Sequence, residues 1–304
     1  MGPFGNPSPE HMIQDITPHR LSNEFHVKEP TDGDVAVIYA DGKVLLDHGE
    51  GEPRLPRFGD LGRLLGPGPR DLGEVRSSAV YLLTVDDFCV FYVPMREGYA
   101  TETLREASPG SFRGFEPKWM AFAGITGCHL AGWYERHRLC GKCGAALARS
   151  PKERMLECPD CKDMVFPSIA PVVIVGVTDG DSLLLTRYKH MTGKGYALVA
   201  GFVEIGETFE EAVAREVLEE TGVRVKNVRF YKSQPWGFSS SLLAGFYCDL
   251  DGDAAITVDD VELSTGVWMA RDDIEEADYS ISLTSEMIEA FRRGREPRYA
   301  EYGI

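Results

Sequence analysis

The sequence predicts an α/β protein in which an α/β sandwich follows a four-cysteine module and a small, mostly β N-terminal domain. Three observations lead to this fold class. Apolar runs broken by Asp-Gly and Asp-Asp turns indicate β-hairpins in both halves of the chain. Two CxxC pairs stand between the halves, and a capped, glutamate-rich helix lies among the later strands. A chain of 304 residues has the length of two domains and one small module.

The N-terminal region has the pattern of two hairpins and one helix. Residues 34–47, DVAVIYADGKVLLD, predict two strands, and residues 79–93, AVYLLTVDDFCVFYV, predict a second pair. Residues 116–137 are apolar at helical spacing and end in charged side chains, which predicts a helix that leads into the cysteine module. We therefore assign a β-rich domain to residues 12–138.

The first eleven residues, MGPFGNPSPEH, are rich in glycine and proline and carry no periodic pattern. A second methionine, Met12, follows them, so we interpret residues 1–11 as a cloning leader. The alternative is a natural disordered tail, and the intact mass of the protein expressed from its own gene separates the two interpretations.

The composition limits the partners and the compartment. The formal net charge of −16 argues against broad adhesion to DNA or RNA, because that needs lysines and arginines to neutralise phosphates. An acidic protein with a phosphate-bearing substrate would need a metal cation to offset the repulsion. No apolar run reaches the roughly 18–20 residues that span a bilayer, and we see no signal-peptide pattern. We expect a cytoplasmic protein without a DNA or membrane partner.

The cysteine module predicts a metal site. Cys140-Gly-Lys-Cys143 is followed fourteen residues later by Cys158-Pro-Asp-Cys161, and each pair places two thiolates on a tight turn. Four thiolates fill the tetrahedral shell of one zinc ion, and a closed shell leaves no position for water, so the zinc would be structural. Two disulfides or a redox-active CxxC are the competing interpretations. We assign residues 139–167 to this zinc ribbon.

The last domain, residues 168–304, begins with two buried strands, PVVIVGVTDGDSLLLTRY, and continues to a capped helix. Thr208 and Glu211 form a capping box, and Gly222 suits the left-handed residue after the helix, which predicts a helix over Phe209–Thr221. Four apolar side chains supply its expected buried face: Ala212, Val213, Val217 and Leu218.

Three glutamates of this helix share one face. Glu216, Glu219 and Glu220 stand at i, i+3 and i+4, where like charges destabilise a helix unless something positive arrives. A cluster of carboxylate oxygens is the donor set that Mg²⁺ or Mn²⁺ prefers. Arg215 adjoins the cluster, and Glu207 lies before the helix and could reach the same face. The alternative is a solvated acidic surface.

The stretch around these glutamates resembles the Nudix box. Gly201, Glu207, the Arg215-Glu216-Val217 triplet, the Glu219-Glu220 pair and Gly222-Val223 match it at every defined position. The resemblance implies an α/β/α sandwich that hydrolyses a nucleoside diphosphate linked to another group. It also implies that Glu216, Glu219 and Glu220 hold two or three Mg²⁺ or Mn²⁺ ions. The backbone carbonyl of Ala200 or Gly201 would complete a metal shell.

A second stretch, SQPWGFSSSLLAGF at residues 233–246, is not typical of a core strand. Its SQPW, the following phenylalanine and a later serine resemble the signature of NADH pyrophosphatases, which include NAD-capped RNA hydrolases. That subfamily also carries a four-cysteine zinc ribbon and an N-terminal β domain. The resemblance implies hydrolysis of NAD or NADH to AMP and the nicotinamide mononucleotide, with NAD-capped RNA as a further substrate. It also implies a homodimer with one structural zinc per subunit.

The same resemblance implies a nicotinamide pocket. Phe202 and Trp236 would sandwich the base, with the tryptophan supplied by the partner subunit, or Trp236 and Phe238 would instead fill an interface or a core. Four further residues complete the expected site: Ser241 at the ribose or phosphate, Gln234 setting the loop geometry, Tyr196 lining the pocket and Glu262 approaching the metals and the substrate.

Three positions depart from the subfamily pattern. Gly237 and Ser239 stand where the subfamily has prolines, and Ser168 stands where it often has arginine. Because proline fixes φ, the two losses loosen the loop and weaken the expected NAD preference. The alternatives are a Nudix hydrolase that prefers ADP-ribose or dinucleoside polyphosphates, and a catalytically silent nucleotide- or RNA-binding protein.

Overall fold

The computed structural model describes residues 12–49, 51–65, 71–189, 195–258, 263–276 and 281–298. They divide into two compact units. The N-terminal unit comprises the described residues of Ile13–Ser168 and Gly237–Ser240, and the C-terminal unit comprises those of Met1–Met12, Ile169–Trp236 and Ser241–Ile304. No helix within these ranges is long and apolar enough to cross a membrane. The leader predicted at residues 1–11 lies outside the described residues. The predicted domain boundaries stay predictions.

The N-terminal unit is built on one mostly antiparallel sheet. Its elements in chain order are β1 (Leu21–Ser22), β2 (Val35–Ala40), β3 (Lys43–Asp47), α1 (Leu61–Leu64), α2 (Leu72–Ser78), β4 (Val80–Val85), β5 (Phe88–Pro94), β6 (Leu104–Ala107), a 3-10 helix (Pro109–Gly114) and α3 (Lys118–Arg136). A shorter 3-10 helix, Phe58–Asp60, precedes α1. The strand order is β1-β4-β5-β2-β3-β6, and β2 and β5 run parallel. Both predicted hairpins and the predicted helix are confirmed.

Small residues let α3 lie close to its neighbours. A Cβ atom at Gly127 would stand 2.9 Å from Cγ2 of Val37, and one at Gly124 would overlap the ring of Phe112. Ala121, Ala123 and Ala131 are also buried on this helix. Close packing of this kind removes apolar surface from water on both partners, which stabilises the unit by roughly 25 cal/mol per Å².

A small sheet carries the cysteine pairs. It consists of β7 (Ala148–Arg149), β8 (Leu156–Glu157) and β9 (Met164–Val165), paired in that order. Arg154, just before β8, donates from Nη1 to the carbonyl oxygen of Asn23 at 3.1 Å and from Nη2 to that of Leu82. The guanidinium therefore ties the ribbon to the larger sheet of the same unit.

The C-terminal unit is an α/β/α sandwich, as predicted. Its elements are β10 (Ala170–Asp179), β11 (Ser182–Tyr188), β12 (Val199–Phe202), α4 (Phe209–Thr221), β13 (Val225–Trp236), β14 (Ser241–Leu250), β15 (Leu263–Ala270), a 3-10 helix (Arg271–Asp273) and α5 (Leu283–Arg292). The strand order is β13-β14-β10-β11-β15, and β12 also pairs with β10. Val173 and Val175 of β10 join the core that includes α4, whereas Val172 and Ile174 join the core that includes α5. Alternate side chains of β10 thus point to opposite faces of the sheet and pack in the core of one helical layer or the other.

Helix α4 has the predicted bounds and caps. Thr208 and Glu211 form the reciprocal capping box, and Gly222 has a φ of 70°. The predicted buried face is right for Ala212, Val213 and Val217 but wrong for Leu218, which is 47% exposed. Leu218 lies about 100° further around the helix than Val217, beyond the arc that faces the sheet. Glu220 takes its place in that arc and is only 4% exposed.

The SQPW stretch forms the end of β13, which is an edge strand. Pro235 is tolerated there because an edge strand does not need every N–H for its ladder. Gln234 is fully buried, and its side chain closes the gap to the start of α5: Nε2 donates to the carbonyl oxygen of Ile281 at 2.8 Å, and Oε1 accepts from the N–H of Leu283 at 2.7 Å. One amide therefore satisfies two backbone groups.

We expect Gln234→Ala to lower the free energy of unfolding by about 1–3 kcal/mol, because it leaves buried backbone groups without their partner. Urea denaturation followed by circular dichroism measures the change. Ser233→Ala, at the exposed neighbouring position, is the matched control and should leave stability unchanged. Equal stability of the two variants would show that the amide bridge contributes nothing.

Candidate metal centre and active site

The four cysteines of the ribbon come together at one point. All four Sγ atoms lie within 4.8 Å of one another. The Cys140–Cys161 and Cys143–Cys158 sulfur pairs are 3.5 and 3.4 Å apart. Tetrahedral zinc with Zn–S bonds of about 2.3 Å needs sulfur atoms about 3.8 Å apart, so the arrangement fits one zinc ion.

Backbone N–H groups donate to two of these sulfurs. The N–H of Lys142 points to Sγ of Cys140 at 3.4 Å, and the N–H of Cys161 points to Sγ of Cys158 at 3.5 Å. The bond from the N–H of Cys161 is the largest cause that lowers the pKa of Cys158 to about 7. All the cysteines are free thiols, and a closed cluster of four ligands is a structural site.

The second centre lies where the glutamates of α4 meet the backbone of β12. The carboxylate of Glu216 rests against Gly201, where a Cβ atom would stand 1.9 Å from Cδ of the glutamate. Any other residue at position 201 would displace this carboxylate. Glycine at the first position of the box is therefore required by a close approach, and the approach places carboxylate oxygens beside the strand backbone.

Arg215 holds this group together. It binds Glu207 through two parallel bonds, from Nε at 2.7 Å and from Nη2 at 2.8 Å. Nη1 donates to Glu216 at 2.8 Å and to Glu219 at 3.1 Å, and Nη2 also donates to the carbonyl oxygen of Phe202 at 3.0 Å. The bond from Arg215 is the largest cause that lowers the pKa of Glu207 to about 2. The same bonds raise the pKa of the guanidinium, so it is charged at every ordinary pH.

Sequence reasoning missed Tyr188, which positions Glu220. The phenol oxygen lies 3.3 Å from Oε2 of Glu220 and accepts the N–H of Ala200 at 3.1 Å. A tyrosine at a strand end carries no signal of this role, because the contact joins residues 32 positions apart. The phenol therefore fixes the buried carboxylate relative to the backbone of Ala200.

The donor set at this centre has the chemistry that a divalent cation prefers, but its oxygens are not gathered around one point. Glu216, Glu219 and Glu220 offer hard carboxylate oxygens along one helix face, and the carboxylate of Glu216 occupies the space where a side chain at position 201 would stand. Among the described residues, only the four cysteines bring metal-ligating atoms as close together as a bound ion needs. The carboxylates are spread along the helix, from buried Glu220 to Glu219, which is 60% exposed.

The expected nicotinamide pocket is brought together only in part. Phe202 at the end of β12 is 56% exposed and Tyr196 is 39% exposed, so both rings are open to a ligand. Trp236 is half-buried and packs against the core beneath α5. Ser241 is buried opposite Trp236 in the β13–β14 pair. Gln234 is wholly engaged with backbone groups, which supports its role in the loop geometry and not a contact with substrate.

Two further positions of the expected pocket are Glu262 and Gly237. Glu262 lies outside the described residues, so its role stays a prediction. Gly237, where the subfamily has proline, has a physical reason to be glycine: a Cβ atom there would stand 2.8 Å from the carbonyl oxygen of Ile125. The departure from the subfamily pattern is therefore matched to its surroundings.

We expect Cys158→Ser to lose the zinc and to lower the midpoint of thermal unfolding, because structural zinc contributes folding free energy. Zinc per chain by mass spectrometry and a thermal scan measure the two effects. Cys89→Ser removes a cysteine outside the cluster and should keep one zinc per chain. A Cys158→Ser protein with one zinc and an unchanged midpoint would contradict the assignment.

We expect Arg215→Met to raise the pKa of Glu207 from about 2 towards its usual value near ~4.3. Because the folded-state pKa is depressed, the ion pair stabilises the fold above about pH 4 and this stabilisation is lost as pH falls through about 2. The variant should lose the part of the pH dependence of its unfolding free energy that comes from this ion pair. NMR titration of the glutamate side-chain carbons measures the pKa of Glu207, and Arg224→Met is the control. An unchanged Glu207 pKa in Arg215→Met would refute the clamp.

Comparisons with known proteins agree with these two centres. Residues 135–166 match the NADH pyrophosphatase zinc ribbon domain, and residues 168–291 match the NUDIX domain. The NAD-capped RNA hydrolase NudC of Klebsiella pneumoniae is 42% identical over 159 residues, which cover 52% of this chain and 61% of the relative. The protein of that name from Salmonella typhi is 43% identical over 148 residues, covering 49% and 57%.

The match thus spans about three fifths of the length of these curated relatives. Among solved structures, a NUDIX hydrolase from Nitrosomonas europaea shares 22% identity with a TM-score of 0.45, covering 53% of this chain and 94% of that one, a likeness too loose to add to the assignment. The matched residues include all four clustered cysteines and the whole of α4. The chain therefore carries a NUDIX domain preceded by an NADH pyrophosphatase zinc ribbon domain.

Proposed function

We propose that this protein hydrolyses the pyrophosphate of NAD or NADH to AMP and the nicotinamide mononucleotide, and that it removes NAD caps from RNA 5′ ends. The observation that carries the proposal is the carboxylate group of α4, set against the backbone at Gly201 and held by Arg215. The names of the relatives support the choice of substrate. We further propose that the enzyme works in the cytoplasm.

Glu216, Glu219 and Glu220 would hold Mg²⁺ or Mn²⁺, two or three ions per site, with the carbonyl of Ala200 and the carboxylate of Glu262 beside them. Bound there, divalent ions polarise phosphoryl oxygens and lower the pKa of a water molecule. The residues of the chain do the positioning. Arg215 orients Glu216 and Glu219, Glu207 fixes Arg215, and Tyr188 fixes Glu220.

The geometry of the sheet supports a nicotinamide pocket shared by two subunits. Phe202 pairs with Val172, Val172 with Leu243, and Leu243 with Gln234, so three strand spacings, about 14 Å, separate Phe202 from Gln234. Trp236 lies two residues further along β13. Rings that stack on the two faces of one base are about 7 Å apart, since carbon contacts are about 3.5 Å. We therefore propose a homodimer in which the tryptophan of one subunit meets Phe202 of the other.

The substrate is tested by chromatography of the products after incubation with NADH, NAD⁺ and ADP-ribose, with Mg²⁺ or Mn²⁺ and then without either. Fastest release of AMP and the mononucleotide from NADH or NAD⁺ is the expected result, and Trp236→Ala should remove that preference. Faster cleavage of ADP-ribose would keep the hydrolase assignment and refute the nicotinamide pocket. RNA with a 5′-NAD cap is the fourth substrate, and its expected product is 5′-monophosphate RNA.

We expect Glu220→Gln to lower turnover at least about a hundredfold, because loss of a metal ligand removes several kcal/mol of transition-state stabilisation. The fold should survive, since the amide oxygen still accepts a hydrogen bond from Tyr188. AMP release per minute and a thermal scan measure the two effects. Glu210→Gln, on the exposed first turn of the same helix, is the control. Wild-type turnover in Glu220→Gln would remove this residue from the reaction.

A further inference from the structure

The N-terminal unit contains a cavity of about 380 Å³ that the proposed reaction does not use. Its walls come from the β2–β3 turn, the 3-10 helix Pro109–Gly114, one face of α3 and the Gly237–Ser240 loop. All of its described lining residues belong to this one unit, and none belongs to α4 or β12. The volume is within the range of about 300–1,000 Å³ that is typical of small-molecule sites.

The charge of the lining is opposite to that of the chain. The two arginines Arg113 and Arg136 line the cavity, and no aspartate or glutamate is among the described lining residues. The chain as a whole has 48 acidic and 32 basic side chains. A cleft lined by one sign of charge focuses its field, so this cavity attracts anions although the protein repels them.

The arginine at the end of α3 is available for a ligand. Arg136 is exposed and makes no hydrogen bond or ion pair with the described residues. The carboxylate of Glu135, its neighbour in sequence, accepts the N–H of Asp41 at 3.0 Å and lies 3.5 Å from Arg138. The carboxylate next to Arg136 in sequence is therefore already bound to other groups, and Arg136 itself makes no ion pair with the described residues.

Hydrogen-bonding and aromatic groups surround this charge. A methyl group at Gly132 would meet Nη1 of Arg136 at 3.1 Å and the hydroxyl of Tyr39 at 3.2 Å, so guanidinium and phenol face the same small space. Arg113 lies over the ring of Phe238, with 4.4 Å between its Cζ and the ring centre. Burial raises the pKa of Tyr39 and lowers that of His129, so both are neutral near pH 7 and add no negative charge.

We propose that this cavity binds a small phosphate monoester of about mononucleotide size, with the guanidinium groups of Arg113 and Arg136 on its phosphate. Guanidinium groups match phosphate oxygens in geometry and charge, which makes arginine the usual residue for this recognition. A compact ligand fits better than an RNA chain, because an RNA backbone would extend beyond the cavity over a chain of net charge −16.

Isothermal titration calorimetry of the zinc-loaded full chain, with AMP in buffer free of Mg²⁺ and Mn²⁺, tests the proposal. The wild type should bind AMP and inorganic phosphate but not adenosine. Arg136→Ala should weaken AMP binding at least tenfold, and Arg113→Ala should weaken it as well. Arg138→Ala is the matched control: the residue is two positions away, is ion-paired with Glu135 and does not line the cavity. It should bind AMP as the wild type does.

Two results separate this cavity from the α4 site. Glu220→Gln should bind AMP as the wild type does, and Arg136→Ala should hydrolyse NADH at the wild-type rate. AMP binding that Arg136→Ala leaves intact, adenosine binding equal to AMP binding, or no binding of AMP and phosphate would each overturn the proposal. Arginine-dependent binding of a short 5′-phosphorylated RNA without binding of AMP would overturn it in favour of an RNA contact.

Discussion

The contact between Glu216 and the backbone at Gly201 is the constraint on which the α4 centre depends. A side chain at position 201 would push the carboxylate away, and with it the glutamate row of the helix. The contact is possible because Ala212, Val213 and Val217 of α4 pack in one core with β10 and β12. Core packing and site geometry are therefore set by the same few residues.

The sequence alone predicted those features of the fold whose deciding interactions are local. The bounds of α4 follow from the Thr208–Glu211 capping box and from Gly222, all within one turn of the helix ends. The zinc cluster follows from two knuckles whose spacing was visible in the chain. The α/β/α layers followed from the family resemblance, and the alternation of Val172 to Val175 between two cores bears them out.

Features that depend on distant parts of the chain could not be predicted. Leu218 was expected on the buried face of α4. The sheet instead covers the arc of the helix that contains Glu220, and Leu218 is exposed. The contact of Tyr188 with Glu220 and the bridge from Gln234 to Leu283 join residues 32 and 49 positions apart. Such contacts are set by strand order and helix placement, which one-dimensional patterns do not encode. The glutamates were predicted as metal ligands from the resemblance to the Nudix box, because their spacing alone also suits a solvated acidic surface.

Arg215 gives the carboxylate row a resident cation. The oxygens of Glu216 and Glu219 already accept hydrogen bonds from Nη1 of Arg215, so a divalent ion held there, as proposed, would have to replace these bonds. The other two nitrogens bind Glu207 and the carbonyl of Phe202 and need not move. The guanidinium would then stay anchored while one arm is released. If the proposed ions bind, the apparent metal affinity of this centre would be the difference between the free energy of metal binding and that of the two Arg215 hydrogen bonds, and the released nitrogen could donate to a phosphate oxygen.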